Sequence, residues 1–307
     1  MSVKFYFNFK KSQKSEAMEN GLYLKNEGGP TLILIHGLTG TPNEMKFLAT
    51  FFHRRGYTVV CPRLANHGEP IEVLKKSKWQ EFYESVRKAL LSLDAPSQKG
   101  PIFVSGLSMG ALLALLLAEE FPDKISGVSC LSPTLFYDGW NVPSSRHLLP
   151  LAYWTPIKHI AYFKEEPPYG IKNEAIRQRI HQYYQKADLN NLEGVAKYGY
   201  PYFPVTLFCQ LRLLINYLNK RLSSIHAPVQ LVQAKEDDMT SVKNSEFIYN
   251  RVSSKMKEIF LLYNSYHVIT ADQEREKVAQ AMEAFFNRIQ HPTRGESAVL
   301  VEGGAHA

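Results

Sequence analysis

The sequence predicts an α/β protein: a mostly parallel sheet flanked by helices, with one helical insertion. Three observations predict it. From residue 31 onward, strand-length apolar runs alternate with stretches of helical period, the pattern of a sheet covered on both faces. The alternation fails between Pro133 and Pro228, where helical patches are broken by Pro143, Pro150, Pro156, Pro167, Pro168, Pro201 and Pro204, and then resumes. Finally, Gly106-Leu107-Ser108-Met109-Gly110 joins a short apolar run, 101–105, to a long one, 111–118, so that strand, tight turn and helix follow directly.

Taken in order, the expected strands are 31–35, 58–61, 102–105, 128–131, 229–234 and 258–262. Val3 to Phe9 and Gly21 to Lys25 are candidates for added edge strands. The expected helices are 44–55, 78–93, 109–121, 241–252 and 275–289, each carrying apolar residues at helical spacing. With 307 residues and 45% hydrophobic content, the chain can bury one large core. The expected organisation is a core of 1–133 and 228–290, a cap or lid insertion at 134–227, and a loosely ordered tail at 291–307 rich in small residues. The insertion holds 16 of the 37 aromatic residues in less than a third of the length. Such rings can build a small core of their own, and some can line an apolar cleft.

Composition narrows the partners. The net charge of +7 comes from scattered residues, and only Lys10-Lys11 and Lys75-Lys76 with Lys78 approach clusters. A solvated face explains them better than nucleic acid. Cys61, Cys130 and Cys209 are too few and too far apart for a disulfide framework, which fits a reducing compartment. The N-terminus lacks the apolar stretch of a secretory signal, and the longest apolar run, Ala111 to Ala118, is far below spanning length, so no integral membrane segment is expected. A cytoplasmic location is the expectation. With no H-E-x-x-H and no clustered Cys/His spacing, no metal and no cofactor are expected.

The chemistry centres on Ser108. A G-x-S-x-G turn between strand and helix exposes the serine Oγ on a strained turn and aims the next amide at a developing oxyanion. A Cβ at Gly106 or Gly110 would collide with neighbouring backbone where the chain reverses. A serine hydroxyl needs a neutral imidazole to take its proton and a carboxylate to fix the imidazole tautomer. Of ten histidines, His267 follows the last expected strand and a turn and precedes the last helix, where such a base belongs. The acid should follow strand 229–234, at Glu236-Asp237-Asp238. Asp237 is preferred and Asp238 held in reserve, since spacing does not separate them. The oxyanion donors are expected to be the backbone N–H groups of Met109 and, in the loop after the first strand, Leu38. His36, at a strand end before glycine, reads as a buttress of that loop.

Together, His36-Gly-Leu-Thr-Gly-Thr-Pro42, Gly106-Leu-Ser-Met-Gly110, Ala234-Lys-Glu-Asp-Asp-Met239 and Ser265-Tyr-His-Val-Ile-Thr270 resemble the bacterial carboxylesterase and monoacylglycerol lipase branch of the α/β-hydrolases. The resemblance spans residues 30 to 290. It implies an α/β-hydrolase fold with a cap inserted after the sixth strand of the usual fold and a Ser108, Asp237, His267 triad. It also implies Leu38 and Met109 as oxyanion donors, and it favours Asp237 because the family's acid falls two residues before the methionine matched by Met239. Asn66-His67-Gly68 resembles the Gly-His-Gly turn of these enzymes, with His67 structural. The longer, more aromatic insertion departs from the compact cap of the small esterases, which leaves acyl length open.

The expected function is hydrolysis of a small-molecule carboxylic ester through an acyl-enzyme on Ser108. A thioesterase or acyltransferase could use the same triad, and only that alternative brings in an acyl-carrier partner. A non-catalytic small-molecule receptor on the same scaffold is the remaining class, and it would have no need of three intact triad residues.

Overall fold

A computed structural model describes residues 21–93, 100–142, 153–186, 194–195, 197 and 199–292. The edge strand expected at Val3 to Phe9 and most of the 291–307 tail lie outside the described residues.

The main sheet has seven strands: β1 Leu22–Leu24, β2 Thr31–Ile35, β3 Thr58–Cys61, β4 Ile102–Leu107, β5 Ile125–Leu131, β8 Val229–Ala234 and β9 Lys257–Leu262. Their order is β1-β3-β2-β4-β5-β8-β9, and every pairing is parallel except the antiparallel edge pair β1–β3. The central strands are buried along their whole length in β2, β3 and β8. Both faces therefore need apolar residues, which is why Leu32-Ile33-Leu34-Ile35 runs without alternation.

Helices cover both faces. α3 Trp79–Leu91 and α4 Met109–Glu120 share one hydrophobic cluster with Ile33, Ile35 and Val104, while α1 Lys46–His53 and α8 Arg275–Gln290 share the other with Leu32, Leu34 and Phe103. α4 is apolar all round, with ten consecutive buried residues from Met109 to Ala118. It is a core helix, wedged between sheet and outer helices. Short α2 Ile71–Leu74 and α7 Lys243–Arg251 complete this layer.

Within 134–227 lie the strands β6 Tyr162–Lys164 and β7 Tyr202–Pro204, which pair with each other and not with the main sheet, and the helices α5 Glu174–Lys186 and α6 Val205–Asn219. α6 turns Leu207, Leu211, Leu214 and Leu218 inward at helical spacing, and all four join the α3/α4 cluster. α6 is thus rooted in the principal core. The aromatic residues of the insertion form a second set: Phe208 packs against Tyr137, Phe163 and Phe203, and Tyr169 meets Tyr184 edge to face. Among the described residues no helix is long and apolar enough to cross a membrane.

Candidate active site

The carboxyl ends of β2, β4, β8 and β9 point to one edge of the sheet, where open α/β sheets place their ligands. Ser108 stands where β4 turns into α4. Its backbone is held at φ 58° and ψ −117°, a region that non-glycine residues rarely occupy. Its N–H is tied to Leu131 O at 2.8 Å. The turn closes because Gly106 and Gly110 have no side chains. A Cβ on Gly106 would lie 2.2 Å from the Gly110 carbonyl group, and one on Gly110 would lie 2.3 Å from Ile35 O.

The three consecutive acids after β8 sort by partner. Glu236 is on the surface and pairs with Lys172 at 2.6 Å. Asp237 is buried: Oδ1 accepts from the Met239 and Thr240 amides, both at 2.8 Å, and Oδ2 accepts from Gln233 Nε2 at 2.8 Å and His267 Nδ1 at 2.9 Å. Among the described residues no hydrogen bond joins Asp238 to the imidazole. Asp238 accepts from the backbone N–H of His267 and of Gly170, each at 3.2 Å. His267 is buried, and burial alone would hold its pKa down. The Asp237 carboxylate, assisted by Asp238 and Glu44, outweighs that effect and raises it above the ordinary histidine value.

Ser108 and His267 line the same cavity of about 560 Å³, together with Leu38, Glu44, Tyr137 and Glu165. Ser108 Oγ is 2.8 Å from Thr134 Oγ1, and among the described residues no hydrogen bond joins it to His267. Thr134 is fully buried just past β5. The sequence reading missed it, because a single threonine after a proline carries no motif. Glu44 and Glu165 were missed too. Burial pushes Glu44 up to about 7 and Glu165 to about 8. A second cavity of about 270 Å³, with Phe163 and Phe208 in its wall, shares Tyr137, Glu165, Tyr169, Phe203 and Met239 with the first.

The loop after β2 is braced by two histidines. His36 is fully buried; its Nδ1–H donates to Gly37 O at 3.0 Å and its Nε2 accepts from Leu64 N at 3.2 Å, while burial holds its pKa well below the ordinary value. His67 Nε2 donates to Leu38 O at 2.8 Å. Among the described residues neither the Leu38 nor the Met109 N–H has a protein acceptor. Met109 follows Ser108 as the first residue of α4, and Leu38 lines the same cavity as Ser108.

The sequence profile of the Hydrolase_4 family, described as serine aminopeptidase S33, matches residues 29–274. The chain belongs to the Hydrolase_4 family. Its similarity to a thermostable monoacylglycerol lipase from Bacillus sp. (strain H-257) is 30% identity over 261 residues, covering 85% of this chain and 92% of that protein. A carboxylesterase from Bacillus subtilis (strain 168) is 25% identical over 267 residues, covering 85% and 94%. Among solved structures, one from work on LipS and LipT, two metagenome-derived lipolytic enzymes, superposes with a TM-score of 0.70 at 28% identity and covers 87% of this chain and 96% of its own. A soluble variant of monoglyceride lipase from Saccharomyces cerevisiae gives 0.68 at 17% identity, covering 86% and 88%, which bears on fold alone. The seven-stranded, mostly parallel sheet with flanking helices is the α/β-hydrolase fold of this Hydrolase_4 member.

Proposed function

We propose that this member of the family is a serine carboxylic-ester hydrolase working through an acyl-enzyme on Ser108, with His267 as general base and Asp237 fixing the imidazole. One observation carries the reading: a buried Asp237–His267 pair at 2.9 Å whose imidazole lines the same cavity as a serine on a strained strand-to-helix turn. Membership of the family, and relatives named monoacylglycerol lipase and carboxylesterase, support ester hydrolysis.

Asp237 accepts the Nδ1 proton, so the lone pair of His267 sits on Nε2. Ser108 Oγ leaves Thr134, turns to that nitrogen, loses its proton to it and bonds to the ester carbon. The negative oxygen that results is received by the Leu38 and Met109 amides. Fixed donors of this kind are worth on the order of 10²–10³ in rate each. The C–O bond to the alcohol then breaks, and the imidazolium returns the proton to the leaving oxygen. Water, deprotonated by the same imidazole, attacks the acyl carbon, and the carboxylic acid departs as Ser108 regains its hydrogen. Residues 134–227 act as the cap over this cavity, and the aromatic second cavity takes an apolar part of the ester. The three free cysteines, two of them buried, are compatible with a cytoplasmic location.

Turnover of p-nitrophenyl butyrate, a monoacylglycerol and an acyl thioester tests the reading and ranks ester against thioester. Ser108→Ala should lower kcat by roughly 10⁴-fold or more at unchanged Tm and abolish labelling by a fluorophosphonate. No turnover on any of the three, or undiminished labelling of the variant, would sink it.

A further inference from the structure

In the loop between β2 and α1, three side chains grip the backbone around the Gly37–Leu38 peptide. A trans peptide is planar, so its N–H points opposite to its C=O. The carbonyl of the Gly37–Leu38 peptide is taken by His36 Nδ1, the carbonyl after it, Leu38 O, by His67 Nε2, and the amide before it, Gly37 N–H, by Glu44 Oε2 at 3.0 Å. What remains between the three grips is the Leu38 N–H. The Glu44 carboxyl also lies flat on the loop: a Cβ built on Gly40 would come within 2.0 Å of Glu44 Oε1 and 2.2 Å of Oε2. Glycine at 40 therefore leaves room for this acid. Two of the grips come from histidines buried behind the loop. Glu44 alone of the three is also part of the cavity wall, alongside Ser108 and His267.

We propose that Glu44 is a positioning residue for the reaction: by accepting the Gly37 N–H and bearing on Gly40, it fixes the direction of the Leu38 N–H that receives the oxyanion. The inference rests on the ester-hydrolase reading above. A glycine free in φ and ψ at 37 would otherwise let this peptide rock, and a donor that must be reoriented during the reaction stabilises the transition state less than one already in place. The carboxylate has a second effect. It faces His267 from the loop after β9, Glu165 and Tyr184 from the insertion and Cys61 from β3, and its charge favours the imidazolium.

Three proteins test it: wild type, Glu44→Gln and Glu44→Ala, each folded by circular dichroism and assayed on p-nitrophenyl butyrate across pH. Alanine removes the acceptor, and kcat should fall by at least about 10-fold with KM within about 3-fold, because the lost interaction is made in the transition state. Glutamine keeps an oxygen for the Gly37 N–H, so kcat should return to within about 3-fold of wild type. Burial pushes Glu44 up to about 7, so its charge is present over the upper part of the acid limb of kcat/KM; glutamine carries none at any pH, and that part of the limb should move to lower pH, the direction expected when a negative neighbour of an imidazole is removed. Wild-type kcat in Glu44→Ala, glutamine as damaging as alanine, or an unmoved acid limb in Glu44→Gln would each overturn the proposal. Should alanine not fold, the glutamine pH profile still decides. An inactive wild type would instead count against the hydrolase reading itself.

Discussion

Asp237 and Asp238 share a peptide bond and face different groups, one the imidazole Nδ1 and the other two backbone amides. Asp237→Asn places an amide where the Nδ1 proton is received and drives the imidazole toward the wrong tautomer, so kcat should drop by about 10³–10⁴. Asp238→Asn keeps one oxygen acceptor and should lose far less. Steady-state kinetics of the two variants check this, and the opposite ranking would reassign the acid. The raised pKa of His267 also has a sign. In its proposed role as base His267 acts only when neutral, so kcat/KM should fall as pH drops through a value above about 6.5, the unperturbed histidine figure. A pH–rate profile with its acid midpoint below that value would contradict the assignment.

At the scale of elements, the contact between the insertion and the histidine loop stands out. Asp272 accepts from the backbone N–H of Lys172 at 2.7 Å and Asn173 at 2.9 Å on one side, and from Tyr266 at 2.8 Å on the other; Val268 N donates to Gly170 O at 2.8 Å. Asp272→Ala would leave these amides without their acceptor, at a cost of about 2–4 kcal/mol. Urea unfolding should show that loss, and limited proteolysis should cut first near residues 170–173; an unchanged urea midpoint would show the contact to be dispensable. These cross-links could not be read from the chain, because they join residues up to 100 positions apart. The strands were legible for the opposite reason. Fully buried parallel strands must be apolar throughout, and 31–35, 58–61 and 229–234 were expected with the boundaries observed. β6, β7, α5 and α6 were not given bounds: the sequence showed only helical patches between prolines, and the two short strands depend on each other as partners about 40 positions apart. Glu44 illustrates the limit at a single position. Thr41-x-x-Glu44 has the form of an ordinary helix start, and nothing local shows its carboxyl reaching back to Gly37.

At the scale of the whole molecule, the sheet separates two apolar layers, and α4 with its loops occupies only one of them. On the opposite side Phe103 and Phe286 stack with centroids 4.3 Å apart, both fully buried. Phe286→Ala should cost about 3–5 kcal/mol of stability. Activity per fluorophosphonate-titrated site should stay unchanged, which the urea midpoint and active-site titration together would establish. A large loss of activity per titrated site would show that the two layers are coupled. The four motif segments were readable because three sit at the ends of β2, β4 and β8 and the fourth in the turn just after β9, where backbone geometry restricts residue choice. The tethers at 170–173 carry a further implication for traffic. If 134–227 is the cap proposed above, its margin at 170–173 is moored beside His267, and raising that margin would drag the proposed base off its mark. On that reading molecules come and go past the other margins, with the moored one serving as pivot.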